Sequence, residues 1–299
     1  MITAVLRRVG AGVLVLWVAA TLAYLALLAA PGSTVDAIIG DGADTPGIRA
    51  QIIAEWHLDR PAVVQYLDFL WRAVQGDLGR SYLLQRPVSD VLGSQLLPTV
   101  KLATAAALFG VVLALLFAIF ARRLTSTIGL VLVSTPPFLI GIVLLSIFSF
   151  TLGWFPVSGD KNFSALILPA LTMGLPIAGT LAQVLREGLD RALEEPFAVT
   201  ARARGLRERA VLTRHALKHA LLPAVTMLSW SFGVLIGGTV IIEQVFGRPG
   251  LGQVTVQAVD AGDLPVVLAV VILAAAVFVV LNTVTDLAYL VIDPRLRRS

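Results

Sequence analysis

The sequence predicts an all-α polytopic membrane protein with six transmembrane helices, and three observations carry that reading. The 299-residue chain is 57% hydrophobic and only 14% charged, with a mean hydropathy of +0.87, outside the range of ordinary soluble domains. Six segments approach the roughly 20 apolar residues that a helix needs to cross a hydrocarbon core of about 30 Å. Basic residues are also divided unequally between the two sets of loops that join those segments.

The first span, 9–30, follows Arg7 and Arg8. Its apolar run exceeds the roughly 7 to 15 residues of a cleaved signal peptide, so it is read as retained. Residues 31–98 form a long extracytoplasmic loop. Within it, "IRAQIIAEWHLDRPAVVQYLDFLWRAVQGDLG" places Val63, Val64, Leu67, Leu70, Trp71 and Val74 at helical spacing, and Pro61 suits the start of a second helix. The loop is therefore read as a small folded cap, either structural or helping to dock a partner. The second span, 102–121, stops at Arg122 and Arg123, and the third covers 127–150. The fourth covers 166–185, the fifth 223–242, and the sixth 265–291 with one charge inside it, Asp286. The expected organisation is a first helix at 1–30, the folded loop at 31–98, and a core of five spans at 99–299 with a basic segment at 190–222.

Orientation follows from the loops. The N-terminus, the 122–123 turn, the 186–218 segment and the C-terminal tail hold 15 of the 23 Lys and Arg residues. The other 8 lie mostly in the long 31–98 loop, which at that length weighs little in orientation. Both termini are thus expected in the cytoplasm. No cysteine is present, which excludes disulfides, thiol catalysis and cysteine metal sites.

The basic segment sits oddly in so apolar a chain. Pro196 suits the first turn of a helix, where the amide it lacks has no partner anyway. Gly205 suits the left-handed position just past a helix end. Residues 197–204 between them make a helix of about 12 Å, too short to span and too charged to bury, and a second helix at 207–222 is expected to lead into the fifth span. Nucleic-acid binding is poorly supported, with Phe197 the only aromatic and no recognisable module. His215 and His219 share a helix face but lack further metal ligands. Headgroup anchoring and docking of a cytoplasmic partner remain. In the third and fourth spans, Pro136, Pro137, Pro169 and Pro176 mark either kinks or broken backbone beside a substrate pathway. Glu243 and Asp286 join them as candidate pathway or gate residues, Asp286 being either structurally paired or functional.

The segment "TARARGLRERAVLTRHALKHALLP" resembles the cytoplasmic coupling segment, the EAA motif, of ABC-importer permeases of the peptide and nickel type. The motifs "LDRPAVVQYLDFL", "GDLGRS", "LGWFPVSG", "EQVFGRPGLG" and "DLAYLVIDPRLR" resemble the same family in the expected order, over nearly the whole chain. The match is to the B-type subunit of dipeptide and oligopeptide permeases. At the EAA position the sequence reads Val199, Thr200, Ala201 with Gly205 in register, and Pro196 and His219 replace an expected acidic residue and Asn. These departures bear on partner matching.

The resemblance implies a type I importer permease fold in the bacterial cytoplasmic (inner) membrane. It also implies a second permease subunit, giving a heterodimer, together with two cytoplasmic ABC ATPases and an extracytoplasmic substrate-binding protein. Phe197, Thr200, Ala201, Arg202, Arg204 and Gly205 would then couple the chain to the ATPase. No cofactor is expected in this chain, with ATP and Mg on the ATPase partners. A P-loop needs G-x-x-x-x-G-K-[ST], and Lys101, Lys161 and Lys218 follow Val, Asp and Leu, so the chain is not expected to be an enzyme. Peptides are the expected cargo, with nickel, metal chelates or glutathione-type solutes as alternatives. A proton-coupled secondary transporter is the rival from another class, distinguished by whether uptake follows ATP or the proton gradient.

The charge asymmetry generates a direct prediction. In intact cells a cysteine at Ser126 or Ser299 is expected to resist a membrane-impermeant thiol reagent, and one at Ser81 or Ser158 to react. The reverse labelling pattern would invert the orientation.

Overall fold

The computed structural model describes residues 2–29, 34–39, 44–120 and 125–292, and these are helical with no β-sheet. In chain order the helices are α1 (Ile2–Ala29), α2 (Thr34–Ile39), α3 (Pro46–Trp56), α4 (Ala62–Val74), α5 (Val88–Phe120), α6 (Thr125–Ser134) and α7 (Pro137–Leu144). They continue as α8 (Ser164–Glu194), α9 (Pro196–Ala203), α10 (Glu208–Ala210), α11 (Leu217–Val245), α12 (Leu251–Asp260) and α13 (Leu264–Ile292). Wider π turns follow α7 at Leu145–Thr151 and α10 at Val211–Ala216. Among the described residues, α5 and α8 are each long and apolar enough to cross a membrane, and Gly10–Ala26, Pro137–Thr151 and Leu264–Val280 are shorter apolar stretches.

The chain separates into two compact units, residues 1–97 with 250–299, and residues 98–249. The sequence reading instead grouped everything from 99 to 299. The difference has a packing cause. Leu268 of α13 is buried with Tyr24 of α1 and Phe69 of α4, while Val266, Val267 and Ala269 bury Val88 and Leu92. Those two side chains, at i and i+4 of a helical face, also explain why α5 begins well before the apolar run that marked it in the sequence.

In the first unit the two expected loop helices appear as α3 and α4. Thr45 caps α3 by accepting from the Ile48 N–H, with Pro46 in the first turn. Helices α2 and α12 were not foreseen. The loop before α5 is held from the far end of the sequence. The buried Asp263 carboxylate accepts from the Ser81 hydroxyl and from the backbone N–H groups of Tyr82 at 3.1 Å and Leu83 at 3.2 Å. Tyr82 packs edge-on against Trp56 at 4.7 Å. Burial, helped by the Asp263 charge, pushes its phenol up to about 12. Ser81 is fully buried in this arrangement, so contrary to the labelling expectation a cysteine there reports on packing. Ser158 is exposed and remains the useful position.

In the second unit α8 is the central helix. Its Gly174 approaches α5 so closely that a Cβ would lie 2.9 Å from the Ala106 carbonyl oxygen. At Gly179 a Cβ would lie 3.0 Å from the Gly129 carbonyl oxygen of α6. Small residues at such crossings let helix backbones meet, which is how packing stabilises helices inside a membrane. Toward its C-terminal end Gly188 meets Ala220 of α11 in the same manner.

One expectation needs correction. The third span is not one helix: α6 ends at Ser134 and α7 starts at Pro137, with extended backbone at Pro136, because a residue before proline is driven out of the helical region. Pro169 and Pro176, by contrast, break nothing and lie within continuous α8. The hydroxyls of Thr172 and Thr180 donate back to the Leu168 and Pro176 carbonyls one turn earlier. The helix expected at 207–222 leads into the fifth span, as the sequence reading has it. It runs through the π turn into α11, with Pro223 inside that helix.

Removing the Asp263 carboxylate strands two backbone donors and a hydroxyl. Asp263→Ala should cost about 1.5 to 3 kcal/mol and speed tryptic cleavage at Arg80 and Arg86, while Asp263→Asn, which keeps an acceptor, should be cut more slowly than Ala. Equal cleavage of wild type and both variants would show that the carboxylate does not hold this loop.

Candidate functional site

Helix α9 is the short helix expected from the basic segment. Glu195 adopts extended backbone and Pro196 opens the first turn, so α8 and α9 meet at a sharp corner. At its other end the Leu206 N–H donates to the Ala201 carbonyl at 3.2 Å and the Gly205 N–H to the Arg202 carbonyl at 2.9 Å. That pair of bonds is a Schellman closure, which needs a left-handed residue. Gly205 supplies it at φ +77°, and a Cβ there would meet open space. The glycine is therefore required by backbone conformation, and no described residue approaches its Cβ position within 4 Å.

The inward side of α9 is formed by Ala198 and Ala201, both buried and three residues apart. They belong to a core shared with Val211, Leu212 and Ala216 of the π turn and with Leu189, Ala192 and Leu193 at the end of α8. Phe197 stacks on the His219 ring of α11 at 4.9 Å and 23°. Ala201 was expected on the outer contact face. It points inward instead, because helical spacing ties it to Ala198. The outward face carries Thr200, Ala203, Arg204 and Val199, the last 58% exposed.

Arg202 also has a duty within the chain. Its guanidinium makes a two-pronged pair with Glu208, at 3.0 and 2.9 Å, and donates to the Leu193 carbonyl at 3.1 Å. Glu208 thereby raises the Arg202 pKa above its ordinary value. The side chain clamps the turn after α9 to the end of α8. Arg204 stays exposed. His215 and His219 have no metal-binding company, as no group of three or more such ligands occurs among the described residues.

A second cluster lies at the end of α11. Glu243 is fully buried and accepts from the Thr99 hydroxyl of α5 at 2.6 Å. Its backbone carbonyl accepts from the Arg248 N–H at 2.8 Å. The Arg248 side chain is itself buried, and its Nε and Nη1 have no hydrogen-bond partner among the described residues. Burial pushes this guanidinium down from its ordinary value, while the Asp160 and Glu243 charges oppose that shift. Phe246 closes the cluster against Gly141 of α7, where a Cβ would come within 3.2 Å of its ring. The structure thus gives Glu243 defined company. Pro136 and Pro137 lie at an exposed break, and Pro169 and Pro176 lie within α8. Asp286 falls within α13, but its side chain lies outside the described residues.

Sequence reasoning missed Thr99, Arg248, Glu208 and the Phe197–His219 stack. Arg248 was inside a quoted motif, "EQVFGRPGLG", and its isolation near an apolar span was the available signal. Glu208 carried none, since a single acid in a basic segment reads as solvated surface.

Comparison with known proteins bears on the whole arrangement. The glutathione transport system permease protein of Salmonella choleraesuis (strain SC-B67) is 36% identical over 309 aligned positions, covering 99% of each chain. A putative peptide transport system permease protein of Brucella abortus (strain 2308) is 37% identical over 313 positions, again covering 99% of each. A chain of the MetNI methionine ABC transporter, solved in inward-facing conformations, superposes with a TM-score of 0.55 at 18% identity. That match covers 68% of this chain and 96% of the other, and shows a shared helical permease fold. Residues 106–298 match the family described as binding-protein-dependent transport system inner membrane component, and the chain therefore belongs to that family of inner membrane permease proteins.

Proposed function

We propose that the chain forms half of the translocation pathway of an ATP-driven importer and that α9 is the joint through which a cytoplasmic ATPase moves it. The geometry of α9 carries the reading. A short, charged, surface helix seated on the ends of α8 and α11 is built to pass displacement from a partner into two long helices. In this reading the chain crosses the inner membrane six times with both ends in the cytoplasm. It pairs with a second permease subunit as a heterodimer, with two ATPase subunits below and a substrate-binding protein outside.

ATP and Mg belong to the ATPase partners, consistent with a chain that carries no P-loop lysine. The cargo class is peptides or a glutathione-type solute, supported by what the relatives' names state.

The transmission is mechanical. Ala198 and Ala201 seat α9, the Schellman closure fixes its end, and Arg202 ties the following turn to α8 through Leu193 and Glu208. Closing of the ATPase pair would displace α9 as a rigid element, and the Gly188–Ala220 contact would pass that motion along α8 and α11 together. At the far end of α11, the Thr99–Glu243 bond and the buried Arg248 support a role as an outer gate.

Outward and inward positions of α9 should fail differently. Val199→Asp or Ala203→Trp should leave the helix seated but weaken the ATPase contact by about 1 to 2 kcal/mol, roughly 5- to 30-fold in affinity. Co-purification and substrate-stimulated ATP hydrolysis measure this. Ala201→Trp should instead overpack the seat at a cost of about 1 to 3 kcal/mol, lowering recovery of folded protein. Replacing Arg204, Arg207 and Arg209 with Gln tests headgroup anchoring. If that set weakens membrane attachment while the Val199 and Ala203 variants retain wild-type ATPase recovery, α9 is a lipid anchor and not a coupling joint.

A further inference from the structure

We propose that α4 lies in the outer boundary of the bilayer, its outward face among lipid chains, and is not part of a cap standing in water. The helix has three distinct arcs. Ala62, Tyr66, Phe69, Leu70 and Ala73 face inward and pack with Tyr24 and Leu268. Gln65, Asp68 and Arg72 form a narrow polar arc beside a cavity of about 680 Å³. Within that arc Gln65 donates to the Leu58 and Arg60 carbonyls, and Asp68 accepts from Arg60 at 2.8 Å. The third arc is apolar and uncovered in the chain: Val63 is 68% exposed, Leu67 56%, Trp71 68% and Val74 83%. These side chains share about a quarter of the helix circumference.

What covers that arc is indicated by where α4 is fastened. The Tyr66 hydroxyl is hydrogen-bonded to Thr21, and the Tyr24 hydroxyl donates to the Ala62 carbonyl at 2.8 Å. The Tyr24 and Tyr66 rings pack at 5.1 Å. Both anchor residues lie inside α1, before its end at Ala29, which at 1.5 Å per residue is about 8 Å from that end for Tyr24 and about 12 Å for Thr21. Helices lying in a membrane interface bury their apolar face by a similar amount, about 5 to 10 Å. The exposed arc is also continuous in character with α1 itself, whose Leu22, Leu25 and Leu28 are exposed beside the anchor. Trp71 fits the boundary region, where indole rings favour a site between hydrocarbon and water. Of the available occupants, lipid matches the depth, the lack of charge and the continuity with α1.

The depth of α4 rests on α1 crossing the membrane, which is part of the function proposed above, and the test separates the two. The chain has no cysteine, so each single nitroxide label is the only one on this chain, and the spectrum of the unlabelled-chain assembly is subtracted. Full-length protein, with its co-purifying subunits, is reconstituted in vesicles of phosphatidylethanolamine and phosphatidylglycerol. Labels sit at Leu67, Trp71 and Val74, with Leu22 and Leu25 as the α1 controls and Asp59 as the water control. Relaxation by oxygen and by a water-soluble nickel chelate is then compared. All three α4 labels are expected to favour oxygen, at a depth of about 5 to 10 Å, as the α1 labels do, while Asp59 favours the chelate. Access to the chelate at the α4 labels would overturn the proposal and leave a cap in water. Exclusion of both reagents would overturn it in favour of a protein partner on that face. If Leu22 and Leu25 also favour the chelate, the membrane reading of α1 fails and the placement of α4 falls with it.

Discussion

Helix α8 can hold the second unit together only because side chains are missing where its neighbours cross it. At Gly174 and Gly179 the opposing contacts are backbone carbonyl oxygens of α5 and α6, at distances that a methyl group would violate. In a membrane the lipid is as apolar as the core, so burial contributes little to helix association and close packing contributes most of it. The positions of α5, α6 and α11 are therefore set by how near they come to one helix. Everything attached to those helices inherits that constraint, including the Thr99–Glu243 bond at one end and the seat of α9 at the other.

Helix α9 shows the same logic at smaller scale. Eight residues make too little hydrogen bonding to persist as an isolated helix. Its order comes from its neighbours: two alanines on a shared core, a stacked ring pair, a closed C-terminal turn and an arginine that reaches both flanking segments. An element fixed at so many points moves with its base. The face left over, with Val199 and Ala203, is free of internal duties, and this division separates residues that keep the helix in place from residues left at the surface.

Much of this was legible because it depends on local signals. Pro196 and Gly205 marked the ends of α9 to within a residue, and the 3.6-residue spacing of Val63, Leu67 and Trp71 marked α4. What escaped was set by tertiary contact. Ala201 reads as surface from its motif, yet its register with Ala198 turns it inward. Pro169 and Pro176 read as either kinks or breaks, and α8 runs on through both, packed against its neighbouring helices. Pro136, followed at once by Pro137, does break the third span, since two successive prolines remove two amides and restrict the residue before them. The pairing of Ser81 with Asp263 had no local signature at all, being a contact across 182 positions of chain.

That last contact sets an order of events during synthesis. Residues 98–249 form an uninterrupted stretch and can pack as soon as they are made, whereas the first unit draws on both ends of the chain. Chains emerge N-terminal end first, so α1, α4 and the loop at 81–83 must wait while more than half of the protein is translated before Asp263 and α13 arrive. During that interval the Tyr82 and Leu83 amides lack their final acceptor, and Tyr24 and Phe69 lack Leu268. The nascent chain passes through a stage in which its second-made half is assembled and its first-made part is not, and a transcript truncated shortly before codon 263 would leave the membrane holding that stage permanently.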